Sequence, residues 1–589
     1  MWDKSTFDTF TKHAFHLGQW QILPVLALSD LLEVPPSPEG MHTLMTVLHE
    51  CLLPYGCEWQ FMNGMPPHET PHKASADTLF EPHTEPGIDT KTPVQTSSNT
   101  SRYAFMMIGF PQQKDVFSSS SSFVLYPEDS LWHQARGFQD WLQSQTERIQ
   151  AQQLGLSDSR DWRSEPTLGW SQVMQARLGS AWVYWAYELG ILLEPSAFAS
   201  HEAITVQTVI PAIQAPLTIA VMRPTMVWVG IDWQEGTLHV AWHVDTPTCC
   251  LESLCQAVSD IQASMFQRDK STSSSLEAMT LPETITWGMS EVTYSEAVCT
   301  LQQGITQGAF YQANLSLQAR LTMPQGYEPL SDWFARYIHN PSPFSALWYA
   351  PWSFQGQAIA SQNAPTWLLC HSPERLVLQE PVADPTASDT LKTWRLSTRP
   401  IAGTRSRGET HAEQRTLEAA LKTLPKEQAE HTMLVDLLRN DLGRLCEAGS
   451  VNVTEYQTLE LYRYVTHLVS EVEGYLRASK VSDLPAVFSL LQAMFPGGTI
   501  TGCPKWRCMA WLFKQEVMPR GFYTGSCGYW QGATGTLDWN ILIRSAMYYP
   551  DTHLLVCHGG AGIVADSIPS HEYRESLKKM RHFTQYEPS

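Results

Sequence analysis

The apolar positions of this chain change period along its length, and the change predicts its elements. Two apolar runs rich in valine and tryptophan, "TMVWVGIDW" (225–233) and "TLHVAWHV" (237–244), predict strands. The run "LESLCQAVSDIQASMF" (251–266) predicts a helix. From residue 285 the pattern sharpens. "TYSEAVCTLQQGITQG" predicts a helix, and "AFYQANLSLQARL" predicts the strand after it. "SALWYAP" and "TWLLCHSPERLVL" predict further strands, with a tight turn at Ser372–Pro373, and residues 382–390 a hairpin or loop. Strands and helices do not alternate strictly, so the expected class is α+β.

Between these segments lie polar stretches. Residues 64–101 are rich in Pro, Thr and Ser and predict a long loop. "QRDKSTSSS" (267–275) predicts a linker. The expected division is an N-terminal region at 1–265, a linker at 266–284 and a catalytic region at 285–589.

Composition narrows the class. At 589 residues with 43% hydrophobic content, a large core is within reach. A formal net charge of −20 argues against nonspecific nucleic-acid binding. The polar start "MWDKSTFDTF" carries no secretory core, and no run of 18 apolar residues occurs. The 12 cysteines show no zinc spacing and read as reduced thiols. The expectation is a cytoplasmic protein with no membrane or nucleic-acid partner.

An anionic ligand would then need a local cationic pocket. "RPIAGTRSRG" (399–408) reads as a bend with three arginines, Arg399, Arg405 and Arg407. They serve an anion pocket or are solvated loop charges. Two predicted helices carry carboxylates towards apolar faces. In "KEQAEHTMLVDLLRNDLGRL" (426–445), Glu430 lies within about 40° of Leu434 and Leu437 at helical spacing. In "SIPSHEYRESLKKMRHF" (567–583), Glu572, Glu575 and Lys579 share one face. Convergence of Glu430 and Glu575 would make an all-oxygen site suited to Mg²⁺. Buried ion pairs or a surface charge ladder are the alternatives. "LLVCHGGAGIVADS" (554–567) and "FPGGTITGCPK" (495–505) read as glycine-rich loops that let backbone N–H groups approach an anion, or as tight turns.

Seven stretches in order, "SPER", "PIAGTRSRG", "EHTMLVDLLRNDLGR", "FPGGTITGCPK", "GFYTGSCGYW", "ILIRSAM" and "GGAGIVADSIPSHEYRE", resemble the chorismate-utilising enzymes over about residues 285–585. The resemblance implies layered antiparallel β-sheets flanked by helices. It implies Mg²⁺ held by Glu430 and Glu575, with Glu572 alongside. It implies substrate binding at Gly403, Thr404, Tyr523, Arg544, Gly560, Ala561 and Gly562, with added charge from Lys579. Glu374 matches the family's general acid, and His467 an active-site histidine, or else a satisfied core histidine. Gln312 stands where water-using members carry a lysine that activates water, which implies ammonia as the nucleophile. No glutaminase motif is present, so a glutamine amidotransferase partner or free ammonia is implied. Most motifs resemble the aminodeoxychorismate synthase branch, which serves 4-aminobenzoate and folate synthesis. Ala402 resembles the anthranilate synthase branch instead, because the first branch carries a nucleophilic lysine there. A non-catalytic anion-binding homologue is the remaining alternative.

Overall fold

The structure is a computed structural model. It describes residues 122–153, 180–225, 279–350, 365–382, 392–407, 411–423, 425–461, 465–478 and 484–585. It also describes the strands 15–17, 20–22, 26–27, 58–64, 103–109, 227–232 and 237–243, and residues 42, 45, 46 and 49. The predicted helix at 251–266, nearly all of the loop at 64–101 and residues 266–278 of the linker lie outside these.

Two sheets carry the fold. Among the described residues the larger has 14 strands, with Phe344–Ala350, Thr366–Ser372, Ser545–Tyr549, Leu554–Ile563 and Gln312–Thr322 side by side at its catalytic end. The smaller has 10, with Val465–Ala478, Lys392–Arg399, Arg375–Val382, Thr536–Asn540 and Ser526–Gln531 in sequence across its centre. The pairings at both centres are antiparallel.

N-terminal strands are built into both sheets. Glu58–Gly64 pairs with Phe344–Ala350, and Ala181–Trp185 pairs with Ser526–Gln531. The facing sides meet through large aromatics. Tyr184 of the smaller sheet meets Trp348 of the larger edge-on, with centroids 5.7 Å apart. Each such pair adds about 0.5–1.5 kcal/mol beyond area burial. A second apolar cluster, including Trp333, Leu315, Leu317 and Phe583, lies under the helices Glu291–Thr306 and Pro569–Thr584.

Three sequence expectations change here. The two strands expected in "TWLLCHSPERLVL" form on either side of a short connection, but they do not pair with each other. Thr366–Ser372 belongs to the larger sheet and Arg375–Val382 to the smaller, so the chain crosses between sheets at Pro373–Glu374. A two-residue hairpin wants left-handed backbone at its turn, and Pro-Glu offers none. "RPIAGTRSRG" is not a reversal either. Lys392–Arg399 and Ile401–Ser406 run along the same partner, Val465–Ala478, interrupted at Pro400, which has no N–H to donate. The glycines of "CHGGAGI" are strand residues: Leu554–Ile563 pairs along its whole length with Gln312–Thr322. Glycine is needed because the helix Pro569–Thr584 packs on the strand's backbone. A Cβ at Gly559 would lie 2.2 Å from the Ser576 carbonyl oxygen.

The cysteines among the described residues are free thiols. Among the described residues, no helix is long and apolar enough to cross a membrane.

Candidate active site

The chain also crosses between the sheets from Thr536–Asn540 to Ser545–Tyr549, and this crossing carries Arg544. The two crossings lie side by side. Ile541 N–H donates to the Glu374 carbonyl at 3.0 Å, and His371 N–H to the Arg544 carbonyl at 3.1 Å. A third segment joins them. Leu542 N–H donates to the Gly525 carbonyl and Thr524 N–H to the Leu542 carbonyl, each at 2.9 Å. Glu374, Arg544 and Tyr523 are thus set on three laced segments where the sheets meet.

Glu374 is buried. Desolvation pushes its carboxyl up to about 8, opposed by a hydrogen bond from Thr499 and by the charge of Lys579. The Thr499 hydroxyl lies 3.5 Å from Glu374 Oε1. Near neutral pH this carboxyl keeps its proton, as a general acid requires.

Arg544 has burial as the main influence on its guanidinium, which lowers its pKa, partly offset by Tyr523 and Glu575. Among the described residues no carboxylate is hydrogen-bonded to it. A cation held this way is ready for a ligand carboxylate. Tyr523 is buried, and desolvation pushes its hydroxyl up to about 12. Its ring stacks on His558 at 5.0 Å. His467 is buried too, and desolvation, then the charge of Arg544, takes it down to about 4. It is therefore a neutral imidazole, on the strand that pairs Thr404 opposite it. Gly403 sits at a break in that pairing with φ +87°, a conformation glycine takes without strain.

The end of the Leu554–Ile563 strand forms the opposite wall. Gly560 has no room for a side chain: a Cβ there would meet Asn314 Oδ1 at 2.5 Å and the Tyr523 hydroxyl at 2.9 Å. Ala561 is fully buried, and a Cβ at Gly562 would lie 3.7 Å from Glu430 Oε1. From the other side Lys579 donates to the Gly560 carbonyl at 2.8 Å and pairs with Glu575 at 2.8 Å. Glu572 is buried one turn earlier. The structure therefore brings Glu430 and Lys579, with Glu575 paired to it, to one stretch of strand.

Among the described residues no group of three or more His, Cys, Asp or Glu side chains stands together as a metal cage. Mg²⁺ takes few protein carboxylates and fills other positions with water or ligand oxygens, so the expected donors reduce to Glu430, near Gly562, and Glu575, which is paired with Lys579.

Gln312 opens its strand, opposite Cys503, and is buried, and its Oε1 has no hydrogen-bond partner among the described residues. Asn314, on the same strand face and opposite Gly562, likewise keeps Oδ1 unpartnered. Asn314 and Thr499 escaped the sequence reading. Asn314 could have been found by stepping two residues from Gln312; nothing in "GGTITG" singled out the Thr499 hydroxyl.

Within the cationic stretch Arg399 departs from both expectations. Arg399 is enclosed by Glu455 at 2.8 Å, Glu460 at 2.5 Å and Glu471 at 2.9 Å. Arg405 is half-buried and Arg407 exposed. Arg399 is thus neither a ligand-binding nor a solvated charge.

A site with a retained proton, a bare arginine and a strand wall stripped of side chains belongs to a recognisable class. Residues 123–585 match the chorismate binding enzyme family. The chain belongs to that family. It is 41% identical over 305 residues to the anthranilate synthase component I-like protein of Synechocystis, covering 51% of this chain and 55% of that protein. It is 41% identical over 286 residues to aminodeoxychorismate synthase component 1 of Bacillus subtilis, covering 49% of this chain and 53% of that protein. The chain thus spans about half the length of these curated relatives. The crystal structure of anthranilate synthase component I from Streptococcus pneumoniae superposes with a TM-score of 0.52 at 27% identity, covering 68% of this chain and 80% of that one.

Proposed function

We propose that the chain aminates chorismate as aminodeoxychorismate synthase component I, using ammonia from a glutamine amidotransferase partner. The supporting observation is a buried Glu374 that keeps its proton, on a crossing beside that of Arg544, which has no carboxylate hydrogen-bonded to it among the described residues and only the longer-range charge of Glu575. Arg544 and the Tyr523 hydroxyl hold a substrate carboxylate. Glu374 delivers its proton to the departing C4 hydroxyl, which leaves as water. Neutral His467 accepts or donates a hydrogen bond without adding charge. Ammonia supplies the new C–N bond, and its excess proton returns to solvent. Gln312, an amide, suits a nucleophile that needs no strong base. Mg²⁺, when bound at Glu430 and Glu575, supplies an electrophilic grip on the other carboxylate.

The second reading is anthranilate synthase component I, favoured by Ala402. In that reaction ammonia attacks C2 and pyruvate is eliminated. Neither nearby lysine offers a spare amine for covalent attack. Lys505 is tied to Asp441 at 3.4 Å and to the Ala493 carbonyl at 3.2 Å, and Lys579 is tied to Gly560 and Glu575.

The deciding experiment incubates the purified chain with chorismate, Mg²⁺ and ammonium at high pH. A non-fluorescent amine that a separate lyase converts to 4-aminobenzoate supports the first reading. Fluorescent anthranilate formed without that lyase supports the second. No Mg²⁺-dependent loss of chorismate overturns both.

A further inference from the structure

We propose that the Ser372 hydroxyl is a positioning residue: it latches the two sheet crossings together and so keeps Glu374 and Arg544 in working register. The proposal rests on the roles given above to those two side chains.

Ser372 is fully buried at the end of the larger-sheet strand. A serine hydroxyl has one proton to donate and lone pairs to accept with. Both capacities are used here, one on each crossing. Oγ donates to the Ile541 carbonyl at 2.6 Å, and it accepts from Glu374 N–H at 3.2 Å. The Ile541 N–H completes a ring by donating to the Glu374 carbonyl.

The reason for a side-chain latch is local. At a crossing the strand ladders stop, and Pro373 has no N–H with which to continue them. The hydroxyl takes the place of the missing main-chain bond. The second crossing needs restraint as well. Arg544 has φ +51° and Thr524, bonded to the same crossing, has φ +57°. Residues with side chains adopt this left-handed backbone only when their surroundings over-determine it. Losing the latch frees the Ile541–Arg544 segment and the peptide before the Glu374 side chain together.

The test measures chorismate turnover with ammonium for Ser372→Ala, Ser372→Cys and Ser372→Thr. Alanine and cysteine lose the strong donor, and cysteine nearly keeps the volume. Both are expected to lower kcat at least about tenfold, roughly the loss of one buried hydrogen bond. They are also expected to shift the alkaline midpoint of the kcat–pH profile, because the Glu374 environment changes. Threonine, which retains the hydroxyl, is expected to recover most of the rate. Should alanine fail to fold, the cysteine variant gives the same reading.

A lower unfolding temperature with kcat, KM and the alkaline midpoint all within twofold of wild type overturns the latch. Glu374→Gln, assayed in parallel, separates the levels. If it is inactive while the Ser372 variants behave as wild type, only the latch fails. If it is fully active, the assignment of the acid fails, and the latch with it.

Discussion

Arg399 and Arg544 are both buried or nearly so, yet their surroundings are opposite. Arg399 is met by three glutamates, two on Asn452–Leu461 and one on Val465–Ala478, and their charges outweigh desolvation to raise its pKa. Arg544 has none within hydrogen-bonding reach among the described residues, and desolvation lowers its pKa. The first arrangement is complete in the protein and joins strands. The second is incomplete until a carboxylate arrives. Counting arginines in the sequence points to the wrong one.

The largest expected effect is at the acid near the bare arginine. Glu374→Gln, which keeps the shape and removes the transferable proton, should lower kcat by about 10²–10⁴-fold in steady-state assays. Wild-type turnover would remove Glu374 from the chemistry.

The next effect concerns stability. Arg399→Met leaves Glu455, Glu460 and Glu471 crowded without their cation. It should cost about 3–5 kcal/mol in denaturant unfolding, the usual result of breaking a buried pair from one side. A loss below about 1 kcal/mol would mean the cage is solvated.

Arg544→Met should do the reverse. It should weaken chorismate use about 10–100-fold in kcat/KM, the worth of one charge-assisted hydrogen bond. The unfolding midpoint should hold or rise, since an uncompensated cation has been removed. A destabilised protein with normal kcat/KM would reverse the assignment.

The smallest effect is in pH dependence. Burial first, against Thr499 and Lys579, raises Glu374 from 4.5 to about 8 in the fold. Because the acid must be protonated, kcat should be flat below about 8 and fall above it. Stability has a matching sign. Burial raises Glu188 from 4.5 to about 7, against the hydrogen bond from Gly521 that favours its charged form. Between their ordinary and raised values these groups bind protons in the folded state but not in the unfolded one. Their stabilisation is complete below about 4.5 and is lost as pH climbs to about 8. Thermal unfolding across that range should show a falling midpoint, with a weaker fall in Glu188→Gln. A midpoint that rises with pH would mean other groups dominate.

Much of the site could be read from residues alone because its signals are local. Helical spacing directed Glu430 towards an apolar face, and that helix buries Leu434, Val435, Leu438 and Leu442. The strand at Gln312–Thr322 followed from its apolar run. The motif order led to the family, and with it to Glu374, Tyr523 and Arg544. What local pattern misjudged was where strands go next. "CHSPERLV" has the look of a hairpin because periodicity records which residues alternate and is silent about which sheet receives them.

The chain's own order of residues determined the elements, the acidic balance, the family and the chemical kinds gathered near the ligand. Tertiary structure alone decided that Pro373–Glu374 and Ile541–Arg544 are neighbouring crossings, that Arg399 is neutralised while Arg544 is left bare, and that Glu374 keeps its proton. The last two depend on desolvation and on charges from separate parts of the chain. Both are set by distance in space, which only the packing of the two sheets supplies.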